Sequence, residues 1–139
     1  MPVKSLHISF NTRGNADIID ITDQVAACIH ESGVSDGIAT LFSPSSTSAL
    51  TTIEYEPGAL LDFKRLFDQV APLNQYYQHN ERWGDGNGHS HVRAAMLGAS
   101  LSVPFASKRL TLGTWQQIIF VDFDVRPRRR ELIVQVIGE

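Results

Sequence analysis

The sequence predicts an α+β fold in which helices cover one face of a mainly antiparallel sheet. Three observations lead to this prediction. Apolar and polar residues alternate near the N-terminus, two stretches in the first half carry apolar residues at helical spacing, and the last third is rich in short strand-like runs. Short turns favour antiparallel pairing, and helices segregated to one face are typical of the α+β class. At 139 residues the chain is predicted to form one domain, 1–139.

The first half of the chain is predicted to contain three strands and a helix. Alternating apolar residues over 3–11 predict a half-buried strand. A helix is expected to begin with Thr22 as its cap and to end at Gly33, because a left-handed glycine commonly closes a helix. Residues 38–42 and 49–55 are predicted to be strands on either side of a Ser/Thr-rich segment.

The second half begins with the helix that has the clearest apolar stripe. Pro57 and Gly58 open it and Pro72 ends it. Residues 74–91 are predicted to form a long polar and aromatic connection, and such connections are more often functional than idle. A short helical pattern follows and ends at Gly98. Four more strands are predicted, over 101–105, 110–112, 117–124 and 131–137.

Composition and charge argue against several classes of function. The 12 basic and 15 acidic residues give a formal net charge of −3, which offers no general attraction to nucleic acid or anionic membrane. The arginines of 126–130 are expected to lie in a solvated turn, and no aromatic residue interleaves with them. No signal-peptide or membrane-spanning run is evident, and the single cysteine, Cys28, fits a reducing compartment. We therefore predict a cytoplasmic protein that binds neither nucleic acid nor membrane.

The segment 85–98 carries the strongest functional signal. A glycine-rich turn precedes His89 and His91, after which a helical pattern begins. On a regular helix these two imidazoles would point about 200° apart, so they can share a metal ion only if His89 precedes the helix. The glycine turn makes that geometry feasible. A second interpretation stays open, in which the free N–H groups at the helix start bind an anion and Arg93 adds charge.

Longer strings of the sequence resemble the YjbQ-like family, which is also labelled secondary thiamine-phosphate synthase. The Leu-Gly-Thr-Trp-Gln string at 112–116 is specific to this resemblance. Membership implies an α+β subunit, a homotrimer, and weak or auxiliary formation of thiamine phosphate from a pyrimidine diphosphate and a thiazole phosphate. The matching stretches span nearly the entire chain, at 46–58, 77–79, 85–98, 100–105 and 109–116.

The resemblance also suggests the site residues. His79 and His91 match histidines of the family motifs. Many members have a histidine where this chain has Ser45, directly after Pro44, and many of those lack one at the position of His89. We therefore predict that His79, His89 and His91 together hold a divalent metal ion, such as zinc, in a three-histidine site with an open position.

Two classes of function and a structural interpretation remain open from the sequence. The first is a trimeric, metal-assisted enzyme that acts on a phosphorylated small molecule, with no catalytic residue identified. The second is a non-catalytic trimer that binds a metal or small ligand. In the third, the histidines are hydrogen-bonded groups at a subunit interface. The predicted contacts to phosphate or substrate are Arg93, Arg109, Thr114 and Gln116.

Overall fold

The computed structural model describes all 139 residues and contains eight strands and four helices. The strands are β1 (Val3–Thr12), β2 (Asp17–Asp20), β3 (Gly37–Phe42), β4 (Ser48–Ile53), β5 (Ser100–Ala106), β6 (Arg109–Leu110), β7 (Gln117–Asp122) and β8 (Arg128–Gly138). The helices are α1 (Thr22–Ser32), α2 (Pro57–Val70), α3 (Gln78–Trp83) and α4 (Gly88–Leu97). This composition confirms the α+β class.

The strands form two antiparallel sheets, which corrects the prediction of one sheet with helices on one face. The larger sheet has the strand order β1-β8-β3-β5-β6, and the smaller has β2-β7-β4. The reason lies in β7, where every residue from Ile118 to Asp122 is buried. A strand that is apolar on both faces has to be covered on both faces, so it cannot belong to a sheet with one open side.

Strand β7 therefore separates two hydrophobic cores. Ile118 and Phe120 face the core that fills the space between the two sheets and also contains α1. Ile119 and Val121 face the opposite core, which α2 and α4 cover. The molecule thus has three layers, with the smaller sheet in the middle.

The N-terminal turn of α4 is attached to the end of β7, and this attachment positions the site described below. The Ser90 hydroxyl lies 2.6 Å from the Phe123 carbonyl oxygen, to which it donates a hydrogen bond. The Asn87 side-chain oxygen accepts a hydrogen bond of 3.1 Å from the Val125 backbone N–H. Because both bonds are made at the start of α4, the direction in which its first side chains project is fixed relative to β7.

Three local features of the helices differ from the sequence prediction. Helix α3 lies inside the segment 74–91 that was predicted to be a connection. In α2 only Phe67 is fully buried and Leu66 is half exposed, because the small middle sheet covers less than the whole apolar stripe. Thr22 is the first helical residue of α1, and Asp20 accepts bonds from its N–H and its hydroxyl.

None of the four helices combines the length and apolar character required to cross a membrane.

Replacing Phe120 by alanine should lower the free energy of unfolding by about 3–5 kcal/mol. Phe120 is fully buried, and its ring lies edge-on to that of Phe10 with centroids 4.9 Å apart. Phe42→Ala is the matched control, since Phe42 is 43% exposed, and it should cost less than about 1 kcal/mol. Denaturant unfolding measures both. Equal losses in the two variants would contradict the assignment of Phe120 to the central core.

Candidate functional site

A groove runs along α4, and its first part is a polar cleft of about 430 Å³. All of the lining residues except one proline are polar. They come from the β3–β4 loop, the turn before α4, α4 itself, and the segment that connects β7 to the start of β8. They are Pro44, Ser45, Ser46, Thr47, Asp85, Asn87, His91, Asp124, Arg128 and Arg130. We call this part the polar end of the groove.

The groove continues into a smaller, less polar space of about 270 Å³. Ser45, Ser46 and His91 line both parts, so the two spaces are continuous at these residues. Small residues line the remainder, which we call the small-residue end: Ser48, Ala94, Ala95, Gly98 and Ala99. The groove therefore offers charge at one end and space beside apolar carbon at the other.

A buried ion pair underlies the polar end. Asp122 is fully buried and accepts two hydrogen bonds from Arg130, at 2.7 Å from Nε and 2.9 Å from Nη2. The Thr12 hydroxyl donates a third bond to Asp122 at 2.6 Å. Two parallel N–H bonds to one carboxylate fix the plane of a guanidinium group. The orientation of Arg130 is thus set by a carboxylate that water cannot reach.

A second ion pair stands beside the first. Arg128 Nη2 binds Asp124 Oδ2 at 3.1 Å, and the Thr47 hydroxyl donates to the same oxygen at 3.1 Å. Burial by itself would raise the pKa of the Asp124 carboxyl. The Arg126 backbone N–H, the Arg128 guanidinium and polar contacts from Asn87 and Thr47 outweigh that effect, so the pKa of Asp124 is lowered. Asp124 consequently remains ionised at neutral pH and holds Arg128 in place.

Several hydrogen-bond donors of the polar end are left without a partner in the protein. The two carboxylates engage Nε and Nη2 of Arg130 and Nη2 of Arg128, while the Nη1 group of each arginine makes no hydrogen bond. The Ser46 hydroxyl and the ring of His91 also make none within the protein. Guanidinium, hydroxyl and imidazole groups are the usual donors to phosphate oxygens.

His79 and His91 are brought together, as the sequence predicted. Their ring centroids are 4.3 Å apart and the ring planes are inclined by 46°. His79 Nδ1 is buried without a hydrogen-bond partner and lies 3.6 Å from Asp85 Oδ1. His79 therefore packs beside His91 and limits the directions in which the His91 ring can point.

His89 does not join them, and the expectation that it precedes the helix is wrong. Helix α4 begins at Gly88, so His89 and His91 are both helical and project in different directions. His89 is 4% exposed and lines a separate cavity. No group of three or more His, Cys, Asp or Glu side chains in the structure is arranged to hold a metal ion.

The role of Gly88 explains this error. A Cβ atom at Gly88 would collide with the side chain of Tyr77, and the Gly88 N–H donates to Asn80 Oδ1 at 2.9 Å. Gly88 therefore permits close packing between α3 and α4, and it does not keep the following residue out of the helix. Gly86, with φ of +70°, is the glycine that the turn itself requires.

The predicted contacts to phosphate lie outside the groove. Arg93 is buried and donates hydrogen bonds to the Ala71 carbonyl at 2.9 Å and to Asp68 at 3.2 Å. It lines the same cavity as His89. Arg109, Thr114 and Gln116 are exposed, and none of them lines the groove. Their roles in ligand binding stay predictions.

Arg128 and Arg130 are the site residues that the sequence analysis missed, because their cluster was interpreted as a solvated turn. Strand β8 begins at Arg128, so these two arginines project from the same face of the strand. A signal for this arrangement does exist in the sequence. Asp122 and Asp124 have the same two-residue spacing just before the turn, so paired acids and paired bases face one another across the connection between β7 and β8.

The fold and the groove define a class of α+β proteins with two antiparallel sheets and a polar groove at the start of one helix. The chain belongs to the UPF0047 protein YjbQ-like family, whose sequence profile matches residues 6–139. The UPF0047 protein of Archaeoglobus fulgidus is 37% identical over 132 residues, which cover 95% of this chain and 100% of that protein. Bacillus subtilis YugU, also a UPF0047 protein, is 36% identical over 138 residues, 98% and 99% of the two chains.

Crystal structures of similar proteins share the fold. A YbjQ-like protein of unknown function from Sulfolobus solfataricus P2 has a TM-score of 0.93 at 32% identity, with 99% of both chains covered. An uncharacterized protein of the YjbQ/UPF0047 family from Clostridium acetobutylicum has a TM-score of 0.87 at 38% identity, covering 95% of this chain and 99% of that one. The two-sheet architecture is therefore that of the family.

Replacing Arg130 by methionine should lower the free energy of unfolding by about 3–5 kcal/mol, because it leaves the buried Asp122 carboxylate without its counter-charge. Arg129→Met is the matched control: Arg129 is the next residue along β8 and is exposed, and its loss should cost no more than about 0.5 kcal/mol. Denaturant unfolding at pH 7 compares the two. Similar small losses would contradict a structural role for the Asp122–Arg130 pair.

His89 should make stability depend on pH. Burial lowers the pKa of His89, the Arg93 guanidinium lowers it further, and the Gly86 backbone and Asp124 oppose this to a smaller extent. The unfolded chain thus binds a proton at this position more readily than the folded protein. Stability contributed by neutral His89 is therefore present above about pH 6.5, the ordinary histidine value, and is lost as the pH falls below it.

Measuring the free energy of unfolding from about pH 8 down to about pH 5, the interval in which histidine side chains usually gain a proton, tests this dependence. His89→Gln should remove part of the loss at low pH, whereas the control His30→Gln, at an exposed position, should leave it unchanged. An identical pH slope in all three proteins would show that His89 is not held neutral by its surroundings.

Proposed function

We propose that this protein binds a phosphorylated small molecule in the groove along α4, with the phosphate at the polar end. The observation that supports this proposal is the pair of Nη1 groups left free on Arg128 and Arg130. Asp124 holds Nη2 of Arg128, and Asp122 holds Nε and Nη2 of Arg130. Donors whose positions are already fixed lose little conformational entropy when a ligand binds. His91, beside the same cleft, supplies a further donor.

Recognition would depend on directed hydrogen bonds more than on net charge. Asp122 and Asp124 offset the charges of the two arginines that bind them. A phosphate would consequently be selected by the geometry of N–H and O–H donors, and doubly charged phosphate esters would be favoured over neutral ligands. The exposed Ser46, with its free hydroxyl, adds a donor on the opposite wall.

The small-residue end of the groove supports a ligand with a flat ring. Ala94, Ala95 and Ala99 have short side chains, which leave room beside the backbone of α4 and of the following turn. The contact they offer is apolar and flat, as a heteroaromatic ring requires. A ring attached to a phosphate would then extend from one end of the groove to the other.

Formation of thiamine phosphate, the activity that the family resemblance suggests, is compatible with such a groove. The thiazole nitrogen uses its lone pair to form a C–N bond to the methylene carbon of the pyrimidine diphosphate. The C–O bond breaks, and pyrophosphate leaves with the electron pair of that bond. No proton has to be removed in this step, so the main requirement is donors that stabilise the departing pyrophosphate. Arg128, Arg130 and His91 would supply them.

Metal binding by His79, His89 and His91 stays a prediction, and the proposed step does not use a metal. As a set the three residues do not fit one ion, because His89 lines a different cavity from His91. The contact between His79 and His91 is the one feature that favours it. A divalent ion held there would supply a further positive charge for pyrophosphate.

The homotrimer and the cytoplasmic location are likewise predictions. Large apolar side chains are exposed on α2, on α3 and between β6 and β7, where association of subunits would cover them. Leu61 is 68% exposed, Trp83 65% and Trp115 72%.

Calorimetric titration with inorganic pyrophosphate and with thiazole phosphate tests the proposal. Arg128→Met should weaken binding by about tenfold or more, because a hydrogen bond between charged groups is worth about 1.5–3 kcal/mol. Arg126→Met is the matched control in the same β7–β8 connection, since Arg126 is exposed and does not line the groove, and it should leave affinity unchanged. An equal effect of the two substitutions, or no binding by the unaltered protein, would overturn the proposal.

A turnover assay with the pyrimidine diphosphate and thiazole phosphate distinguishes a thiamine-phosphate synthase from a non-catalytic ligand-binding protein. Product formation that falls in Arg128→Met supports the synthase. Binding without turnover supports a non-catalytic ligand-binding protein.

Elemental analysis of the same protein, purified without an affinity tag, tests the metal prediction. About one equivalent of metal per subunit that is lost in His89→Gln would support the three-histidine set. Absence of metal from the unaltered protein would refute that set.

A further inference from the structure

A second cavity, of about 190 Å³, lies beside α4 and shares no lining residue with the groove. Helix α2 supplies Lys64 and Asp68 to its wall, α4 supplies His89 and Arg93, and the β1–β2 loop supplies Asn15. Because His89 and His91 are two residues apart on one helix, they face away from each other. The two spaces are therefore on different sides of α4.

Two cationic groups at this cavity have donors without a partner in the protein. Arg93 is 5% exposed and uses Nε and Nη2 for Ala71 and Asp68, which leaves Nη1 free. The exposed Lys64 ammonium group forms no ion pair. His89, which is 4% exposed, lines the same wall. A guanidinium group that is held in place with one donor left over is suited to binding an anion.

The loop that closes the cavity has an unusual backbone. Gly14, Asn15 and Ala16 have φ values of +78°, +55° and +63°, and the last two are not glycines. Left-handed conformations of such residues are rare and are concentrated at functional sites. The Asn15 N–H donates to the Asp124 carbonyl at 2.7 Å, and a Cβ at Gly14 would lie 2.6 Å from that oxygen. The loop is thus held against the β7–β8 connection, which also lines the groove.

We propose that this cavity is a second site, distinct from the groove, that binds a small oxoanion of the phosphate or carboxylate type. Lys64 and Arg93 carry two positive charges against the single carboxylate of Asp68. A volume near 190 Å³ corresponds to about six water molecules at ~30 Å³ each. That space suits a phosphate or carboxylate group and is too small for a nucleotide.

Long-range ¹H–¹⁵N spectra of the histidine rings test the proposal during titration with inorganic phosphate and, separately, with acetate, at ionic strength held constant with chloride. We expect a saturable shift of the His89 nitrogens. Lys64→Ala should weaken it about threefold or more. Arg65→Ala, the neighbouring exposed residue that pairs with Asp62, should not. A response to phosphate alone assigns the site to phosphate groups, and a response to both anions to small oxoanions in general.

His91→Ala separates this site from the groove and should leave the His89 response intact. No saturable shift, or equal weakening in Lys64→Ala and Arg65→Ala, would overturn the proposal. Loss of the response in His91→Ala would overturn the independence of the two sites.

Discussion

The buried ion pair between Arg130 and Asp122 is the constraint on which the groove depends. It joins β8 to the end of β7, the Thr12 hydroxyl joins it to β1, and Thr47 joins it to the loop between β3 and β4. Removing two charges from water is costly, and here the cost is offset because the Asp122 carboxylate is hydrogen-bonded to Arg130, to the Thr12 hydroxyl and to the Asp124 backbone N–H. These bonds fix Arg130 and leave its Nη1 group for an external acceptor.

Helix α4 then divides the chemistry of the molecule into two spaces. Its first turn is attached to the end of β7, which sends His91 towards the groove and His89 towards the second cavity. Both spaces combine a buried or half-buried arginine with a histidine and a carboxylate. In each, the carboxylate holds part of the guanidinium group and other nitrogens are left without a partner. The same physical arrangement therefore supports anion binding on two sides of one helix.

The sequence was sufficient for most elements of the fold, because alternation and helical spacing report burial directly. The division into two sheets was missed, since a continuous apolar run such as β7 does not reveal what covers its second face. Within the site, the family motifs correctly brought His79 and His91 together. The predicted position of His89, ahead of α4, was wrong because a glycine before a helix either bends the chain or permits close packing. Only the contact between Gly88 and Tyr77 shows that Gly88 has the second role.

A crystal structure of the protein with inorganic pyrophosphate tests the central claim most directly. The account predicts pyrophosphate in the polar end of the groove, with its oxygens accepting hydrogen bonds from the free Nη1 groups of Arg128 and Arg130 and from His91. His89 should remain on the other side of α4. Pyrophosphate bound away from these arginines, or a metal ion ligated jointly by His79, His89 and His91, would contradict it.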